Sequence, residues 1–535
     1  MILYQQYSFL VQCSYANMPF HFRTLGAGLR LAPRTRRLFL GLVGGTSSAL
    51  VATFLAKEAE HAESSGMPAG SGSVLLKRWL KENGVSVEGS ETVGKVYSGP
   101  IVHSNKFGPV EILEEGVVGV SEDGKILFVF DESEAKKKLA SLKLGSELNV
   151  CRLGKRFLIP GFVDGHAHAP QHTFTGTGLD LPLLQWLMTY TFPAEAKFKD
   201  PDYAKTMYRK AVMSHLKNGS TTVSYFATIH LEASKELANI VEELGQRAYV
   251  GKVNMDRNSP DYYCETTKGS LRDTMSFVQF IHAMNNPLVT AVITPRFVPS
   301  CTPDLMRGLG IISRSFGLPV QSHMSESIAE VKWVADLHPD CKNYGSVYDK
   351  YDLFHENTYM AHCIHCGSSE RDLVLRNGVG IVHCPLSNFS IASGLCNVRE
   401  WVEEGHIVGL GTDVSGGYSP SILTAIRHGR IASIEVARKN GFEGENAIKK
   451  ALTFDELFFL ATLGGAQVLG LDDKIGNFQV GKEFDALVVD AYREGGPICD
   501  YENENETTRT RFEKFLTLGD DRNITEVYVK GKQCI

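Results

Sequence analysis

The sequence lacks a surplus of basic residues: Lys and Arg number 55, Asp and Glu number 61, and the net charge is −6. Nucleic-acid-binding chains usually carry a basic surplus or stripe, so we expect no nucleic-acid partner. A disulfide framework is also lacking, because the 11 cysteines are scattered and odd in number. This pattern favours a reducing compartment, and we expect the cytoplasm. Cys363 and Cys366 form a C-x-x-C without the second pair that a zinc ribbon needs.

Long apolar runs are scarce, and the clearest is the 19-residue uncharged stretch at residues 38–56, which follows several arginines. Its length is just sufficient to span a bilayer. A signal anchor, a mitochondrial presequence and an apolar run without a targeting role remain alternatives. We therefore predict residues 1–91 to be an N-terminal extension outside the catalytic fold. Mitochondrial or membrane-anchored localisation through residues 30–56 is the alternative, and we expect membrane contact only if the apolar segment is retained.

From about residue 92 the sequence alternates between short β-branched or apolar runs and helical patterns. Eight candidate strands are separated mostly by such helical patterns, and they are 162–165, 221–225, 248–253, 289–294, 318–322, 357–361, 379–383 and 407–412. This alternation predicts an α/β fold with a (β/α)₈ TIM-like barrel over residues 161–465. A doubly wound sheet is the alternative, but the first strand is not followed by G-x-G-x-x-G. Segments 92–160 and 466–535 are predicted to form a small β-sandwich from the two ends.

Titratable side chains follow several of these strands directly. The first strand ends in His166 and His168, and the others contribute His323, His362 and Asp413. The alternative interpretation is that each is a hydrogen-bonded residue in a polar loop. Since the C-terminal strand ends of such a barrel meet at one face and carry its chemistry, we expect these side chains to lie together.

Three imidazoles and one carboxylate suit Zn²⁺, or less favourably Fe²⁺. Either ion lowers the pKa of bound water, for zinc to about 7. Glu326 lies three residues beyond His323, where it is placed to shuttle protons, and His362 is placed to orient the attacking water. The fourth strand ends at Arg296 without the lysine that bridges two metals in related barrels. We therefore expect one metal per chain and a deamination reaction.

The motifs "PGFVDGHAHAPQ", "SHMSE", "AHC", "HCPLSN" and "GTDVSGG" together resemble the amidohydrolase superfamily in its aminohydrolase branch. More specifically, "LDLPLLQWLMTYTFPAEAKF", "YFATIH", "TPRF", "SVYDK", "GNFQVGKEFDA" and "LGDDRNITEVYVKGK" resemble the guanine deaminase family. The likeness runs from about residue 92 to the C-terminus.

This resemblance implies the roles of individual residues. The implied zinc ligands are His166, His168, His323 and Asp413. The implied substrate contacts are His168, Ala169, Pro170, Gln171, Arg296, Phe297, His323, Glu326 and Asp413. The implied catalytic groups are Glu326, which moves protons, Asp413, which also acts as a base on the water, and His362 beside them.

The resemblance further implies guanine as the small-molecule substrate, hydrolysis to xanthine and ammonia in purine catabolism, and a homodimer. Two alternatives remain open from the sequence. One is an aminohydrolase that acts on another purine or on a triazine. The other is a non-enzymatic scaffold, although such chains usually lack one or more metal ligands.

Overall fold

The computed structural model describes residues 93–131, 150–500 and 506–535. The predicted N-terminal extension, residues 1–91 with its apolar run, lies outside the described residues. Among the helices of the described part, none has the length and apolar character that crossing a bilayer requires.

The strands of the described chain belong to a barrel and to a sheet built from both chain ends. In chain order they are β1 Val93–His103, β2 Glu111–Ser121, β3 Ile126–Asp131, β4 Val150–Arg152, β5 Phe157–Pro160, β6 Phe162–His168, β7 Ser220–Phe226, β8 Arg247–Gly251, β9 Val253–Asn254, β10 Val289–Ala291, β11 Thr294–Pro295, β12 Val320–Met324, β13 Thr358–His362, β14 Gly380–His383, β15 Val408–Leu410, β16 Ala486–Val489, β17 Ile524–Val529 and β18 Lys532–Gln533.

The α-helices lie mostly between the barrel strands. They are α1 Leu183–Trp186, α2 Phe192–Ala196, α3 Pro201–Lys217, α4 Leu231–Leu244, α5 Thr267–Met284, α6 Pro303–Phe316, α7 Ile328–Leu337, α8 Tyr344–Lys350, α9 Ser368–Asn377, α10 Pro385–Ser390, α11 Val398–Glu403, α12 Ile422–Lys439, α13 Gly444–Lys450, α14 Phe454–Phe459, α15 Gly465–Val468 and α16 Thr508–Leu518.

The barrel consists of two parallel four-stranded arcs, ordered β10-β8-β7-β6 and β12-β13-β14-β15. The third and fourth barrel strands are each interrupted, so that β9 and β11 continue β8 and β10 and pair with each other. A bridge between Ile293 and Val320 joins the two arcs on one side. On the other side the Asp413 N–H donates to the His166 carbonyl at 2.8 Å. All eight candidate strands of the barrel are therefore present, and the expected fold class is confirmed.

Local sequence signals explain several element boundaries. Helix α3 begins where Asp200 accepts hydrogen bonds from the N–H groups of Asp202 and Tyr203, with Pro201 in its first turn. A capping box of Thr453 and Glu456 opens α14. The helical segment continues from α14 into a π-turn at Leu460–Gly464. Here the helical segment contacts the barrel wall closely: a Cβ on Gly465 would lie 2.8 Å from the Val163 Cβ.

The remaining eight strands form one sheet of order β18-β17-β16-β5-β1-β2-β3, with β4 also paired to β1. Strand β16 pairs antiparallel with β5, so the C-terminal segment completes the sheet that the segment before the barrel begins. Its core includes the buried rings of Tyr97, Phe484 and Tyr528. The two ends of the described chain therefore join in one sheet beside the barrel, as expected, whereas the exact segment boundaries stay predictions.

Candidate active site

The C-terminal ends of four barrel strands bring the five predicted metal-site side chains together. His166 and His168 end β6, His323 lies in β12, His362 ends β13, and Asp413 follows β15. Pairing between the first and last strands sets the position of Asp413, because the His168 N–H also donates to the Val414 carbonyl at 3.0 Å. All five side chains are buried.

Their ring nitrogens and carboxylate oxygens converge on one point. The His166 Nε2 lies 3.1 Å from the Asp413 Oδ1, and the His168 Nε2 lies 3.4 Å from the same oxygen. The His168 Nε2 is also 3.1 Å from the His323 Nε2. Ligand atoms of His166, His323, His362 and Asp413 all lie within 4.8 Å of one another. This spacing suits side chains that share a single cation.

The hydrogen-bond partners of the rings agree with that interpretation. The His323 Nδ1 lies 2.6 Å from the Arg296 carbonyl, and the His362 Nδ1 lies 2.9 Å from the Asn388 Oδ1. Because both partners accept, each Nδ1 carries the proton and each Nε2 keeps a free electron pair. In the described structure the Nε2 atoms of His166 and His362 are buried without a hydrogen-bond partner. Such orphaned groups are costly unless something pairs with them, so the residues fit a bound metal.

Burial also keeps three of the imidazoles in the neutral form by lowering their pKa values. It lowers the pKa of His166, and it holds the pKa values of His168 and His323 well below the usual histidine value. The neutral imidazole is the form that binds metals, so at neutral pH these rings are ready as ligands without releasing a proton.

The pKa values of the two carboxyl groups beside the imidazoles, Glu326 and Asp413, are shifted in opposite directions. Burial raises the pKa of Glu326 to about 7, although the neighbouring His362 opposes the shift. Burial alone would also raise the pKa of Asp413, but His166 and the other imidazoles hold it well below its usual range. Glu326 is therefore suited to exchange a proton near neutral pH, whereas Asp413 stays an anion.

Glu326 is held beside the cluster without belonging to it. Its Oε2 lies 3.6 Å from the His362 Nε2, and its Oε1 accepts a hydrogen bond from the Ser393 hydroxyl at 2.9 Å.

The backbone is left-handed at Ser325, His362 and Asp413, with φ of 51°, 72° and 46°. Residues other than glycine rarely adopt this conformation, and strain of this kind concentrates at functional sites.

A cavity opens onto this cluster. Of the predicted site residues, those that line it are His168, Gln171, Arg296, Phe297, His323, Glu326 and Asp413. His166 and His362 are buried and are not among the residues that line it. Ala169 and Pro170 are buried in the first turn after β6 and do not line the cavity.

Sequence reasoning missed the part of the wall that comes from the segment after β6. Leu183, Trp186 and Leu187 supply an apolar face, and Ile391 and Gly416 complete the lining. Trp186 and Leu187 pack into one buried cluster with Phe297. A largely apolar lining with a few polar groups is typical of pockets that bind small molecules.

The most important residue that the sequence did not predict as part of the site is Glu195, a completely buried carboxylate in α2. Its Oε2 accepts from the Arg296 Nη1 at 2.7 Å and from the Tyr263 hydroxyl at 2.7 Å. Its Oε1 accepts from the Arg296 Nη2 at 3.1 Å and from the Gln171 Nε2 at 3.0 Å. The sequence expectation gave Arg296 no protein partner. The available signal was a lone carboxylate in the apolar run "LLQWLMTYTFPAEA".

Comparison with known proteins identifies the family. Residues 157–534 match the model of the amidohydrolase family. The chain is 46% identical over 447 residues to the guanine deaminase of Dictyostelium discoideum, which covers 82% of this chain and 98% of that protein. It is 44% identical over 446 residues to the human guanine deaminase, covering 82% of this chain and 96% of that protein.

A solved structure gives the same result. The guanine deaminase of C. acetobutylicum, crystallised with guanine in its active site, matches with a TM-score of 0.75 and 40% identity over 82% of this chain and 99% of that one. The family match spans most of the chain, and the relatives are covered almost in full. The chain therefore belongs to the amidohydrolase family and, within it, to the guanine deaminases.

Proposed function

We propose that the chain catalyses the hydrolysis of guanine to xanthine and ammonia. The observation that carries the proposal is one cavity lined by the metal-ligand type residues His168, His323 and Asp413 and by the buried carboxyl group of Glu326. Its lining also includes the polar side chains of Gln171 and Arg296, which we call the recognition wall. The support for guanine in particular is the likeness to guanine deaminases, including one with guanine bound.

The proposed metal ligands are His166, His168, His323 and Asp413. We propose one Zn²⁺ per chain, with Fe²⁺ less favoured, because neutral imidazoles and a carboxylate are the ligands that zinc takes in hydrolytic sites. A zinc ion held there would acidify water and so supply a nucleophile at neutral pH. His362, 3.7 Å from the Asp413 Oδ2, is left to orient the water.

Proton transfers in the proposed reaction are carried out by side chains. The protonated Glu326 gives its proton to the ring nitrogen beside the amino-bearing carbon, which makes that carbon electrophilic. Asp413 accepts a proton as water adds to the carbon. The proton on Asp413 then passes to the amino nitrogen, the carbon–nitrogen bond breaks and ammonia leaves. The remaining hydroxyl on that carbon returns its proton to Glu326 and becomes the new carbonyl of xanthine. Each such acid–base step contributes about 10²–10⁴-fold in rate.

The proposed base-recognition residues are those of the segment His168–Gln171 with Arg296 and Phe297. Arg296 has N–H groups beyond those that Glu195 accepts, and these suit the ring carbonyl of guanine. Adenine presents an amino donor at that place and would meet a guanidinium that can only donate. A site built around such a hydrogen bond can reject the wrong analogue by about 10⁴-fold or more.

The test is an ammonia-release assay on the purified, metal-loaded protein with guanine, adenine, other purines and a triazine, with the product identified by mass. We expect xanthine from guanine and loss of turnover after chelation. Turnover of another ring with none of guanine would replace the proposed substrate. No turnover of any ring by the zinc-loaded protein would favour a scaffold.

Further properties belong to the same proposal. We propose a homodimer that acts in purine catabolism in the cytoplasm, on the support of the family likeness and the scattered cysteines. We also propose the domain boundaries: residues 1–91 for the extension, 161–465 for the barrel, and 92–160 with 466–535 for the small β-sandwich. Any membrane contact would come from the apolar N-terminal run.

A further inference from the structure

The carboxylate of Glu195 lies behind the wall of the cavity and not in it. It is completely buried in α2, and its four hydrogen-bond donors come from three other parts of the barrel rim. Gln171 follows β6, Tyr263 follows β9, and Arg296 follows β11. Two of these donors, Gln171 and Arg296, line the cavity. Glu195 therefore joins both polar recognition side chains to one buried anchor.

The contact fixes the direction of each side chain. The Arg296 guanidinium donates to both carboxylate oxygens of Glu195. It also stacks on the ring of Phe192, which lies in α2 with Glu195, and its Cζ is 5.3 Å from the ring centroid. The Gln171 Nε2 donates to Glu195, and its Oε1 accepts from the Ser415 N–H at 3.3 Å. A flipped amide would set oxygen against carboxylate and N–H against N–H, so these neighbours determine its orientation.

The contact also determines the charge of the recognition wall. In the described structure Arg296 is the one Lys or Arg side chain among the residues that line the cavity. The pKa of Arg296 is raised, with burial opposed by Glu195, so it stays protonated, and the carboxylate cancels its charge. An unpaired buried guanidinium would favour an anionic ligand. A paired one can donate hydrogen bonds to a neutral base without attracting an anion.

We propose that Glu195 is a positioning residue that makes this site select neutral purines over anionic ones. The inference rests on the proposed function, in which guanine enters as a neutral base. The product, xanthine, has a more acidic ring N–H than guanine and ionises near neutral pH. Glu195 thus favours the substrate and weakens the hold on the ionised product.

The test compares wild type with Glu195→Gln, which keeps the shape but leaves Arg296 unneutralised. Two quantities are measured on metal-loaded protein: kcat/KM for guanine, and xanthine binding by calorimetry at one pH below and one pH above its first ionisation. We expect kcat/KM to fall on the order of 10²-fold, since both recognition side chains lose their anchor. We expect the affinity for ionised xanthine to rise by about tenfold or more relative to the neutral form.

Two further variants separate charge from packing. Glu195→Asp keeps the charge, so it should lose guanine turnover but retain the wild-type preference for neutral xanthine. Arg296→Met changes the charge of the recognition wall in the opposite direction, because the negative charge of Glu195 then has no cationic partner. This variant should bind ionised xanthine less well than wild type does. This variant keeps the proposal testable if Glu195→Gln does not fold.

The chain offers a matched control at the other end of the barrel. Asp485 is a buried carboxylate that accepts from the Arg247 Nε at 3.2 Å and from the Arg247 Nη2 at 3.1 Å, where β8 begins. Asp485→Asn should lower the melting temperature and leave the xanthine preference unchanged. Equal weakening of both xanthine forms in Glu195→Gln, or no change, would overturn the proposal. Absence of guanine turnover in wild type would instead overturn the proposed function, because the xanthine comparison does not depend on turnover.

Discussion

Replacing Glu326 by Gln removes a transferable proton while changing little else. The side chain is buried, its Oε1 accepts from Ser393 at 2.9 Å, and its Oε2 lies 3.6 Å from the His362 Nε2. A glutamine amide can keep the bond from Ser393 with its oxygen and present N–H₂ toward His362. The variant should therefore fold and retain its metal, because Glu326 is proposed as a proton shuttle and not as a ligand.

The expected loss follows from the role. General acid–base catalysis contributes about 10²–10⁴-fold, so kcat should fall by that factor, or about 3–5 kcal/mol in activation free energy. KM for guanine should change much less, since the recognition wall is untouched. Ammonia release, metal content by mass spectrometry and thermal unfolding are measured on the same preparation.

A matched control is Glu370→Gln. Glu370 is another buried glutamate, which accepts from the Gly345 N–H at 2.6 Å and does not line the cavity. Its replacement should leave kcat close to wild type. If Glu326→Gln lost its metal, Glu326 would be a ligand and the assigned role would be wrong. If it kept both metal and full turnover, no proton would pass through this group.

The other predictions concern three separate parts of the protein. Arg296→Met should lower kcat/KM for guanine by about 2–4 kcal/mol without much gain on adenine, and unchanged guanine kinetics would show that Arg296 does not contact the base. The same variant should lower the free energy of unfolding by about 3–5 kcal/mol, measured by denaturant titration, because Glu195 is left buried and unpaired. Metal analysis should find one equivalent per chain, preferably zinc, and two equivalents that are both needed for turnover would contradict the single-ion site. Deletion of residues 1–66 should leave activity intact, and an inactive or unfolded product would place that segment within the fold.

The barrel and its metal-type cluster were predictable because their signals are local. Each barrel strand is a short apolar or β-branched run, and parallel strands place their C-terminal ends at one face, so His166, His323 and Asp413 had to converge. The capping box at Thr453 and Glu456 likewise depends on residues three positions apart. Such features need no knowledge of the packing between distant segments.

The position of Glu195 and the apolar part of the cavity lining were not predictable, because they depend on packing between segments that are distant in the sequence. Glu195 meets Arg296 across 101 positions of sequence and Tyr263 across 68. The local sequence marks Glu195 only as a lone carboxylate in an apolar run. Its burial and its partners arise when the segment after β6 packs over the barrel mouth. Trp186 and Ile391 enter the lining in the same way, from connections whose path depends on tertiary packing.

We propose that this site hydrolyses guanine and discriminates against adenine through the recognition wall. The most direct measurement is the ratio of kcat/KM for guanine to kcat/KM for adenine on the zinc-loaded wild-type protein. We predict a ratio of about 10⁴ or more, with xanthine as the product from guanine. Comparable turnover of both bases, or faster turnover of adenine, would contradict the account.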